Sequence, residues 1–255
     1  MQLIRTQLVP VTGLVSSYKK KSNPSERLPI EALGNSAKSV PEMAKALQVL
    51  NQIITEQNGT LYITDLFRPW DVQDKLRTEY ELSKADPNIK DKAYAAVPGG
   101  SFHQAGRAVD FSVSELNFKD VDKDKWLKKF WDIARPLGFN PIIKIADLSI
   151  SECWHFDYPG SDFTKAYNYA DDFSSDALDY TLVAKCGIID AGCWNPKESP
   201  TKIQNMFIQS QLIRLGRFEI GSVDGILGKK SMKAINDLGI NQTDLSLVAQ
   251  ALIQL

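Results

Sequence analysis

The two histidines of this 255-residue chain constrain its fold more than any other feature, because each stands near an acidic residue in a short motif. His103 lies seven residues before Asp110, and His155 lies three residues after Glu152. Neutral imidazole and carboxylate are good zinc ligands, and a catalytic zinc takes three protein ligands plus a water. We therefore predict that His103, Asp110 and His155 bind one Zn²⁺ as the cofactor.

The spacing of His103 and Asp110 requires a reversal of the chain. On a helix, seven residues would separate the two side chains by about 10.5 Å of rise, whereas zinc ligands lie about 2.0 to 2.2 Å from the ion. Gly106, which lies between them, has the backbone freedom that such a reversal needs. The alternating pattern of residues 108–113 then predicts a strand that carries Asp110.

Glu152 is the candidate general base for the water that attacks a substrate. Three residues along an extended strand would turn Glu152 and His155 to opposite faces, so this prediction requires a bend at Cys153 and Trp154. The alternative is that each histidine is a buried structural residue. This alternative needs a separate explanation for each histidine and each acid, whereas one metal site explains all four residues. We therefore favour the metal site.

The composition is typical of a globular protein, with 43% hydrophobic and 24% charged residues. A formal net charge of -1 provides no bulk attraction to nucleic acid or to anionic lipid, so neither is expected as a partner. Residues 1–21 lack the apolar core of a signal peptide, and no later segment approaches the length of a membrane span. Membrane insertion is therefore not expected.

Three cysteines allow at most one intramolecular disulfide. Cys186 and Cys193 are the local candidates, and free thiols at both positions are equally compatible with the sequence. Cys153 lies inside the second histidine motif, where a thiol could bind metal. We favour a small buried residue on a strand at that position.

Hydrophobic periodicity and turn residues predict an α+β fold, in which a small antiparallel sheet with flanking helices carries the zinc site. Ser39 and Glu42 have the spacing of a capping box at the start of the first helix. Gly138 stands at a C-cap position after the third helix. The predicted helices cover residues 40–57, 70–83, 123–137, 201–215 and 231–238, and the predicted strands cover residues 61–67, 108–113, 142–145 and 152–158.

The chain is predicted to have four parts. Residues 1–38 are a polar, extended N-terminal lead-in that proline and glycine interrupt. Residues 39–175 form the zinc domain, and residues 176–195 form a linker in which helical periodicity fades. Residues 196–255 form a small all-α C-terminal domain.

The two histidine motifs resemble those of a known enzyme family. The pattern S-x-H-x-x-G-x-A-x-D followed by E-x-W-H is similar to that of the bacterial cell-wall zinc peptidases. These are the VanY-like D-Ala-D-Ala carboxypeptidases and L-alanyl-D-glutamate endopeptidases, with the hedgehog-type peptidase fold. The resemblance implies the same three zinc ligands, with Glu152 as catalytic base. The matching residues are Ser101, His103, Gly106, Ala108, Asp110, Glu152, Trp154 and His155.

The resemblance covers about residues 40–160 and extends upstream of the histidines. Arg68 matches the family's arginine that binds a substrate carboxylate, a role that suits the planar guanidinium. A surface arginine, or an ion pair with Asp65, is the alternative. Ser101 and Gln73 are implied to line the substrate site, although either could simply hold a loop in place.

Two departures from the family pattern concern substrate preference more than catalysis. Cys153 stands where the family commonly has a small residue or proline. Asp65 and Leu66 replace the usual small residue and glycine before the arginine. The zinc ligands and the base, which catalysis requires, match the pattern.

Residues 196–255 resemble the small helical peptidoglycan-binding domain. Asp224, Gly225 and Gly228 indicate a tight turn that lets one helix fold back on another. The terminal Phe-Gln that is usual in that family is missing. An ordinary helical subdomain is the alternative, and we favour the binding domain because it agrees with the substrate class of the zinc site.

Together these resemblances imply a zinc-dependent peptidoglycan peptidase that hydrolyses stem-peptide or cross-link amide bonds, as a lysin or an antibacterial effector. The expected partner is peptidoglycan, with a delivery system and an immunity or inhibitor protein as further candidates. We expect synthesis in the cytoplasm without a signal peptide, and action in the periplasm or cell wall after lysis or secretion. The alternative is a non-catalytic cell-wall binding protein whose structural zinc site is closed by Cys153.

Overall fold

The computed structural model describes residues 3–172 and 179–255, and its fold is α+β, as predicted. None of the described helices is both long and apolar enough to cross a membrane. The strands are β1 (Val9–Pro10), β2 (Val15–Lys19), β3 (Arg27–Pro29), β4 (Lys38–Ser39), β5 (Ile63–Asp65), β6 (Ala108–Phe111), β7 (Asn140–Pro141) and β8 (His155–Asp157). The α-helices are α1 (Pro41–Glu56), α2 (Trp70–Ala85), α3 (Trp126–Ala134), α4 (Gly160–Asp172), α5 (Tyr180–Asp190), α6 (Pro200–Arg214), α7 (Lys229–Asp237) and α8 (Leu245–Gln254). Short 3₁₀ segments cover Ile30–Ser36, Val113–Glu115, Lys123–Lys125, Arg135–Leu137 and Phe218–Ile220.

The described chain divides into two compact units. The first contains the described parts of residues 1–7, 68–105 and 161–255, and therefore α2, α5 to α8 and nearly all of α4. The second contains residues 8–67 and 106–160, and therefore every described strand together with α1 and α3. The four-part domain division stays a prediction, and its boundary at residue 175 lies outside the described residues.

A six-stranded sheet forms the second unit's framework, in the order β3-β2-β5-β6-β8-β7. Neighbouring strands pair antiparallel except β2 and β5, which are parallel. A separate antiparallel pair joins β1 and β4. The sheet is therefore larger than predicted and contains one parallel pair.

Aromatic packing fixes the buried face of the two central strands. Phe111 in β6, Phe156 in β8 and Phe130 in α3 form a three-way cluster, with ring centroids 5.1 to 5.5 Å apart in edge-to-face arrangements. Successive side chains of a strand point to opposite faces of the sheet. Asp110 and His155, each next to one of these phenylalanines in sequence, are therefore directed to the other face.

The helix predicted over residues 40–57 forms as α1, but the predicted capping box is wrong. The N-cap is Val40, and no side chain caps the helix. Ser39 is one position too early because it belongs to β4, where it pairs with Val9, and its hydroxyl donates to the Val40 carbonyl oxygen. Pro41 at the first helical position sets the start of the helix instead. The face of α1 that packs into the core comprises Met43, Leu47, Leu50 and Ile54.

The N-terminal segment 1–38 is not the extended lead-in that its composition predicts. It contributes β1, β2 and β3, and Ser16 of β2 lies opposite Ile63 of β5. These strands are two to five residues long, too short for a clear periodicity. Their pairing depends on partners elsewhere in the chain, which a local pattern cannot show.

The stretch 176–195, predicted as a linker, contains α5. Seven of the 11 residues in this helix are buried, so it lacks the polar face that makes a helix visible as a periodic pattern. Asp190 at its end is buried, accepts a hydrogen bond from Gln211 and pairs with Arg5. Cys186 in α5 forms no disulfide with Cys193.

For the segment after α3, the predicted C-cap is confirmed and the predicted strand is wrong. Gly138 follows the helical turns with φ of +92°, the left-handed C-cap that was predicted. Residues 142–145 form no strand, and the short strand β7 precedes them. Apolar residues 142, 143 and 145 resemble a strand in sequence, but no strand of the described sheet pairs with them.

Gly106 is predicted to be more sensitive to substitution than Gly13, which offers a matched control. Both have a left-handed backbone, with φ of +63° and +70°, and this costs an alanine about 1–2 kcal/mol. A Cβ at Gly106 would lie 2.6 Å from Leu8 Cδ2, whereas one at Gly13 meets nothing within 4 Å. We expect Gly106→Ala to lower the free energy of unfolding about 1 kcal/mol more than Gly13→Ala does. Urea denaturation measures both, and equal losses would show that the Leu8 contact adds no cost.

Candidate metal centre

Three predicted ligands come together in the structure. His103, Asp110 and His155 each offer one ligand atom, and the three atoms all lie within 4.8 Å of one another. His103 and Asp110 are buried, and His155 is partly buried. Among the described residues, this group of side chains could hold a metal ion.

The strand register explains how Asp110 and His155 meet. In the antiparallel pair β6–β8, Asp110 lies directly opposite His155. Residues opposite each other have Cβ atoms about 4.5–5.5 Å apart on the same face. A shift of one residue would send one of the two side chains into the phenylalanine cluster. Core packing therefore stabilises the strand register that sets Asp110 opposite His155.

Both ring nitrogens of His155 face carboxylates. Nδ1 lies 2.9 Å from Asp110 Oδ1, and Nε2 lies 3.0 Å from Asp157 Oδ1. Burial lowers the pKa of His155, but hydrogen bonds to Asp110 and Asp157, with the charges of both carboxylates, outweigh it and raise the pKa to about 10. Without a metal ion, the two carboxylates therefore favour the protonated, positively charged form of His155.

The donor set fits a zinc ion. Four ligands at about 2.1 Å from a tetrahedral zinc lie about 3.4 Å from one another. His155 Nδ1 and Asp110 Oδ1 are 2.9 Å apart, and the upper limit for the group is 4.8 Å. The expected ligand spacing lies between these two distances. His103, Asp110 and His155 would hold the ion, and three protein ligands are the number that catalytic zinc sites use.

The loop that precedes His103 is tied to α2. Gln73 Nε2 donates to the Ala96 carbonyl oxygen at 2.7 Å, and an Arg77 guanidinium nitrogen donates to the Ala95 carbonyl oxygen at 3.0 Å. Gln73 is fully buried. This contact is the loop-holding role that the sequence left open for Gln73, and its substrate role stays a prediction.

Residues on either side of His103 hold the loop from within. Gln104 Oε1 accepts a hydrogen bond from the Gly99 main-chain amide at 2.8 Å. The main-chain amide of Gln104 donates to the Ser101 carbonyl oxygen at 3.0 Å. Phe102 packs edge-on against Tyr167 of α4, with centroids 5.6 Å apart. The loop is therefore braced before a metal binds. Ser101 is buried, and substrate binding by its hydroxyl stays a prediction.

Arg68 is joined to His103 through the main chain. Its amide donates to the His103 carbonyl oxygen at 3.2 Å, so the predicted substrate anchor and the first ligand share one local structure. Asp65, three residues earlier, accepts a hydrogen bond from the Leu66 amide and lies opposite Asp110 in the β5–β6 pair. The role of Arg68 in binding a carboxylate stays a prediction.

Glu152 lies in a turn immediately before β8. Its φ of +66° is in the left-handed region, which residues other than glycine rarely adopt. The Cys153 amide donates to the Ile150 carbonyl oxygen at 3.3 Å, and the His155 amide donates to the Glu152 carbonyl oxygen at 3.0 Å. The predicted bend at Cys153 and Trp154 is therefore present, and strand alternation does not fix the direction of Glu152. Its role as base stays a prediction.

A cavity of about 420 Å³ borders Asp110. Cys153 forms part of its wall, and its thiol donates to the Leu148 carbonyl oxygen at 3.6 Å. Burial raises the pKa of this thiol, which disfavours the thiolate that metal binding requires. Its sulfur is not part of the grouped ligand atoms. The residues that line the cavity are Thr64, Asp110, Phe111, Ser112, Val113, Ser114, Leu148, Cys153 and Trp154.

Residues 37–161 match the VanY family, D-alanyl-D-alanine carboxypeptidase. The VanY-matched segment contains every predicted site residue and excludes residues 196–255. The solved structure of the LdcB LD-carboxypeptidase, described with its peptidoglycan recognition, is similar over 69% of this chain and 76% of that one. The two share 21% identity, with a TM-score of 0.43. Among curated protein sequences, none matches the chain significantly.

Sequence reasoning missed Asp157, which lies inside the VanY-matched segment and contacts His155. The available signal was the spacing of two residues on a predicted strand, which places both side chains on one face. It also missed Gln104 and Arg77, which hold the His103 loop. Their partners are main-chain atoms, so no residue pattern reveals them.

The metal centre predicts that the full chain binds one Zn²⁺ and that His103→Ala lowers the zinc affinity more than about 100-fold. Loss of a mere outer-shell partner costs about 10–100-fold, and a direct ligand should cost more. Competition with a chromophoric chelator measures the affinity. Asp132→Ala, which removes an exposed carboxylate of α3, serves as the control and should bind zinc normally. Wild-type affinity in His103→Ala would exclude His103 as a ligand.

Proposed function

We propose that this protein is a zinc-dependent peptidoglycan peptidase that hydrolyses a stem-peptide or cross-link amide bond of the bacterial cell wall. The observation that carries this proposal is the grouping of His103, Asp110 and His155 inside a segment that matches the VanY family. The description of that family as D-alanyl-D-alanine carboxypeptidase makes the D-Ala-D-Ala bond the first to test, with L-Ala-D-Glu second. Such a substrate requires action outside the cytoplasmic membrane, as a lysin or as a secreted effector with its own inhibitor protein.

The residues of the site divide the reaction among them. A bound zinc ion would polarise the scissile carbonyl and lower the pKa of the attacking water. Glu152 takes a proton from that water and delivers it to the leaving amine as the amide C–N bond breaks. Arg68, tied to the His103 backbone, binds the terminal carboxylate of the substrate through two parallel hydrogen bonds.

The cavity beside Asp110 supports a peptide substrate. Its volume of about 420 Å³ lies in the range of small-ligand sites. Leu148 and Trp154 supply apolar surface for small alkyl side chains, and Thr64 and Ser112 supply hydroxyls for peptide groups. The mixed lining suits short, alanine-rich peptides better than large or highly charged ligands.

The arrangement of Cys153 favours catalysis over the alternative of a structural zinc site in a wall-binding protein. A structural site needs a fourth protein ligand, and Cys153 was the candidate. Its sulfur lies outside the group of ligand atoms, and its thiol donates a hydrogen bond to the Leu148 carbonyl oxygen instead. Three protein ligands, with water in the fourth position, are the arrangement of catalytic zinc sites, and the group here has three.

Mass spectrometry of muropeptides tests the proposal directly. Purified sacculi are incubated with the zinc-loaded protein, digested with a muramidase and analysed. Loss of a terminal alanine from pentapeptide stems indicates a carboxypeptidase, loss of cross-linked dimers an endopeptidase, and release of stems after L-alanine an L-Ala-D-Glu peptidase. Chelation should stop the reaction and zinc should restore it. Unchanged muropeptides would reject the peptidase and favour the wall-binding alternative.

Glu152→Gln is predicted to keep zinc and lose hydrolysis. Glutamine has nearly the same size but cannot accept the water's proton, and general-base catalysis contributes about 10²–10⁴-fold to a rate. We expect turnover of stem peptide to fall by that factor while the zinc affinity in the chelator competition stays unchanged. Turnover near that of the wild type would remove Glu152 from the mechanism.

We infer that residues 196–255 bind peptidoglycan. Their resemblance to the binding domain centres on the turn between α6 and α7, where Asp224 accepts hydrogen bonds from Gln209 Nε2 at 2.9 Å and from the Ile226 amide at 2.8 Å. Gln209 Oε1 accepts from the Gly225 amide, which braces the turn from the side of α6. The braced turn presents Ile226, 71% exposed, to solvent.

Co-sedimentation with sacculi tests this binding role. Full-length Glu152→Gln protein, which should not digest the wall, is compared with the same protein carrying Ile226→Glu. Leu247→Glu is the control, because it charges another exposed apolar residue, in α8. We expect Ile226→Glu to lower the bound fraction several-fold and Leu247→Glu to leave it unchanged. Equal binding by all three proteins would argue against the turn as a wall-binding surface.

A further inference from the structure

His155 is held from two sides, and the second side lies outside the ligand set. Nδ1 lies 2.9 Å from Asp110 Oδ1, and Nε2 lies 3.0 Å from Asp157 Oδ1. Asp157 is 4% exposed. A buried carboxylate loses much of its hydration, so it needs charged or hydrogen-bonding partners to compensate for the cost of burial.

The sheet explains how Asp157 reaches His155. Both belong to β8 and are two residues apart, so their side chains leave the same face. Across the strand pair, Asp157 lies opposite Ala108, as His155 lies opposite Asp110.

The two contacts select one form of the imidazole for metal binding. A neutral imidazole has one N–H and one lone pair, and a metal ion binds the lone pair. An ionised carboxylate only accepts hydrogen bonds, and with Asp110 as a metal ligand Asp157 is the carboxylate that accepts the imidazole proton, on Nε2. The lone pair then lies on Nδ1, the nitrogen beside the other ligand, Asp110.

We propose that Asp157 is a positioning residue that fixes the tautomer and orientation of His155, so that the metal is bound through Nδ1. The proposal rests on the zinc site of the proposed function. It assigns to Asp157 the outer-shell role that carboxylates commonly take behind metal-binding histidines. The sheet does not need this side chain for its register, because the β6–β8 and β7–β8 pairings run through the main chain.

Nitrogen NMR of the wild-type protein tests the tautomer without any substitution at Asp157. The chain has two histidines, so a long-range ¹H–¹⁵N spectrum contains two imidazole patterns, and His103→Asn assigns them. In the zinc-loaded protein we expect His155 to carry its proton on Nε2 and the metal on Nδ1. A metal-bound Nε2 would overturn the proposal.

Metal affinity tests the contribution of Asp157 to the site. In the full chain, we expect Asp157→Ala to weaken Zn²⁺ binding about 10–100-fold. Asp157→Asn should weaken it less, because the amide oxygen still accepts a hydrogen bond but carries no charge. Asp132→Ala controls for the loss of one negative charge. Wild-type affinity in both Asp157 variants would overturn the proposal.

A spectroscopic readout separates positioning from a merely structural role. Cobalt is bound in place of zinc, and samples are kept at a temperature where circular dichroism shows them folded. If Asp157 positions His155, Asp157→Asn alters the visible cobalt absorption and gives a mixture of His155 tautomers. A merely structural Asp157 would lower stability and leave both signals unchanged.

These outcomes are distinguishable from failure of the proposed function. A wild-type protein that binds zinc with the expected tautomer but digests no peptidoglycan keeps the role of Asp157 and loses the peptidase. A wild-type protein that binds no zinc overturns both.

Discussion

The site depends on the register of the antiparallel pair β6–β8. This register sets Asp110 opposite His155 on one face and packs Phe111 and Phe156 into the core on the other. Strand alternation makes the two faces interdependent, because a shift of one residue would exchange ligand and core side chains. Phe130 of α3 packs against both phenylalanines and so stabilises this register from the core face of the sheet. The same register therefore sets both the core packing and the grouping of the candidate ligands Asp110 and His155.

The two histidines reach the site by different means. His155 is held by a strand and by the carboxylates at its ring nitrogens, whereas His103 lies on a loop without regular structure. That loop is braced by Gln73 and by Gln104, whose side chains bond to main-chain atoms. Both glutamines are almost completely buried, so their hydrogen bonds are protected from water. Such bracing provides the preorganisation that a metal ligand on a loop otherwise lacks.

Glu152 lies in a short turn immediately before the strand that carries His155. Its left-handed backbone costs about 1–2 kcal/mol for a residue with a side chain. Strain of this kind persists where the surrounding structure holds it, and it concentrates at functional sites. Here the hydrogen bond from the His155 amide closes the turn, so His155 can follow strand alternation while Glu152 does not. This separation is what the predicted roles of His155 as ligand and Glu152 as base require.

The sequence by itself determined the α+β class and helices α1 and α3, because periodicity is a local property, and its two histidine motifs predicted the grouping of His103, Asp110 and His155 from residue types and from resemblance to a family. Only the tertiary structure decided the rest. The N-terminal strands, including Ser16 opposite Ile63, depend on a distant partner, and α5 is buried on too many sides to show a polar face. The two-residue spacing places Asp157 on the same face of β8 as His155, but only the folded structure shows that its carboxylate lies 3.0 Å from His155 Nε2, because that distance depends on side-chain conformation and burial.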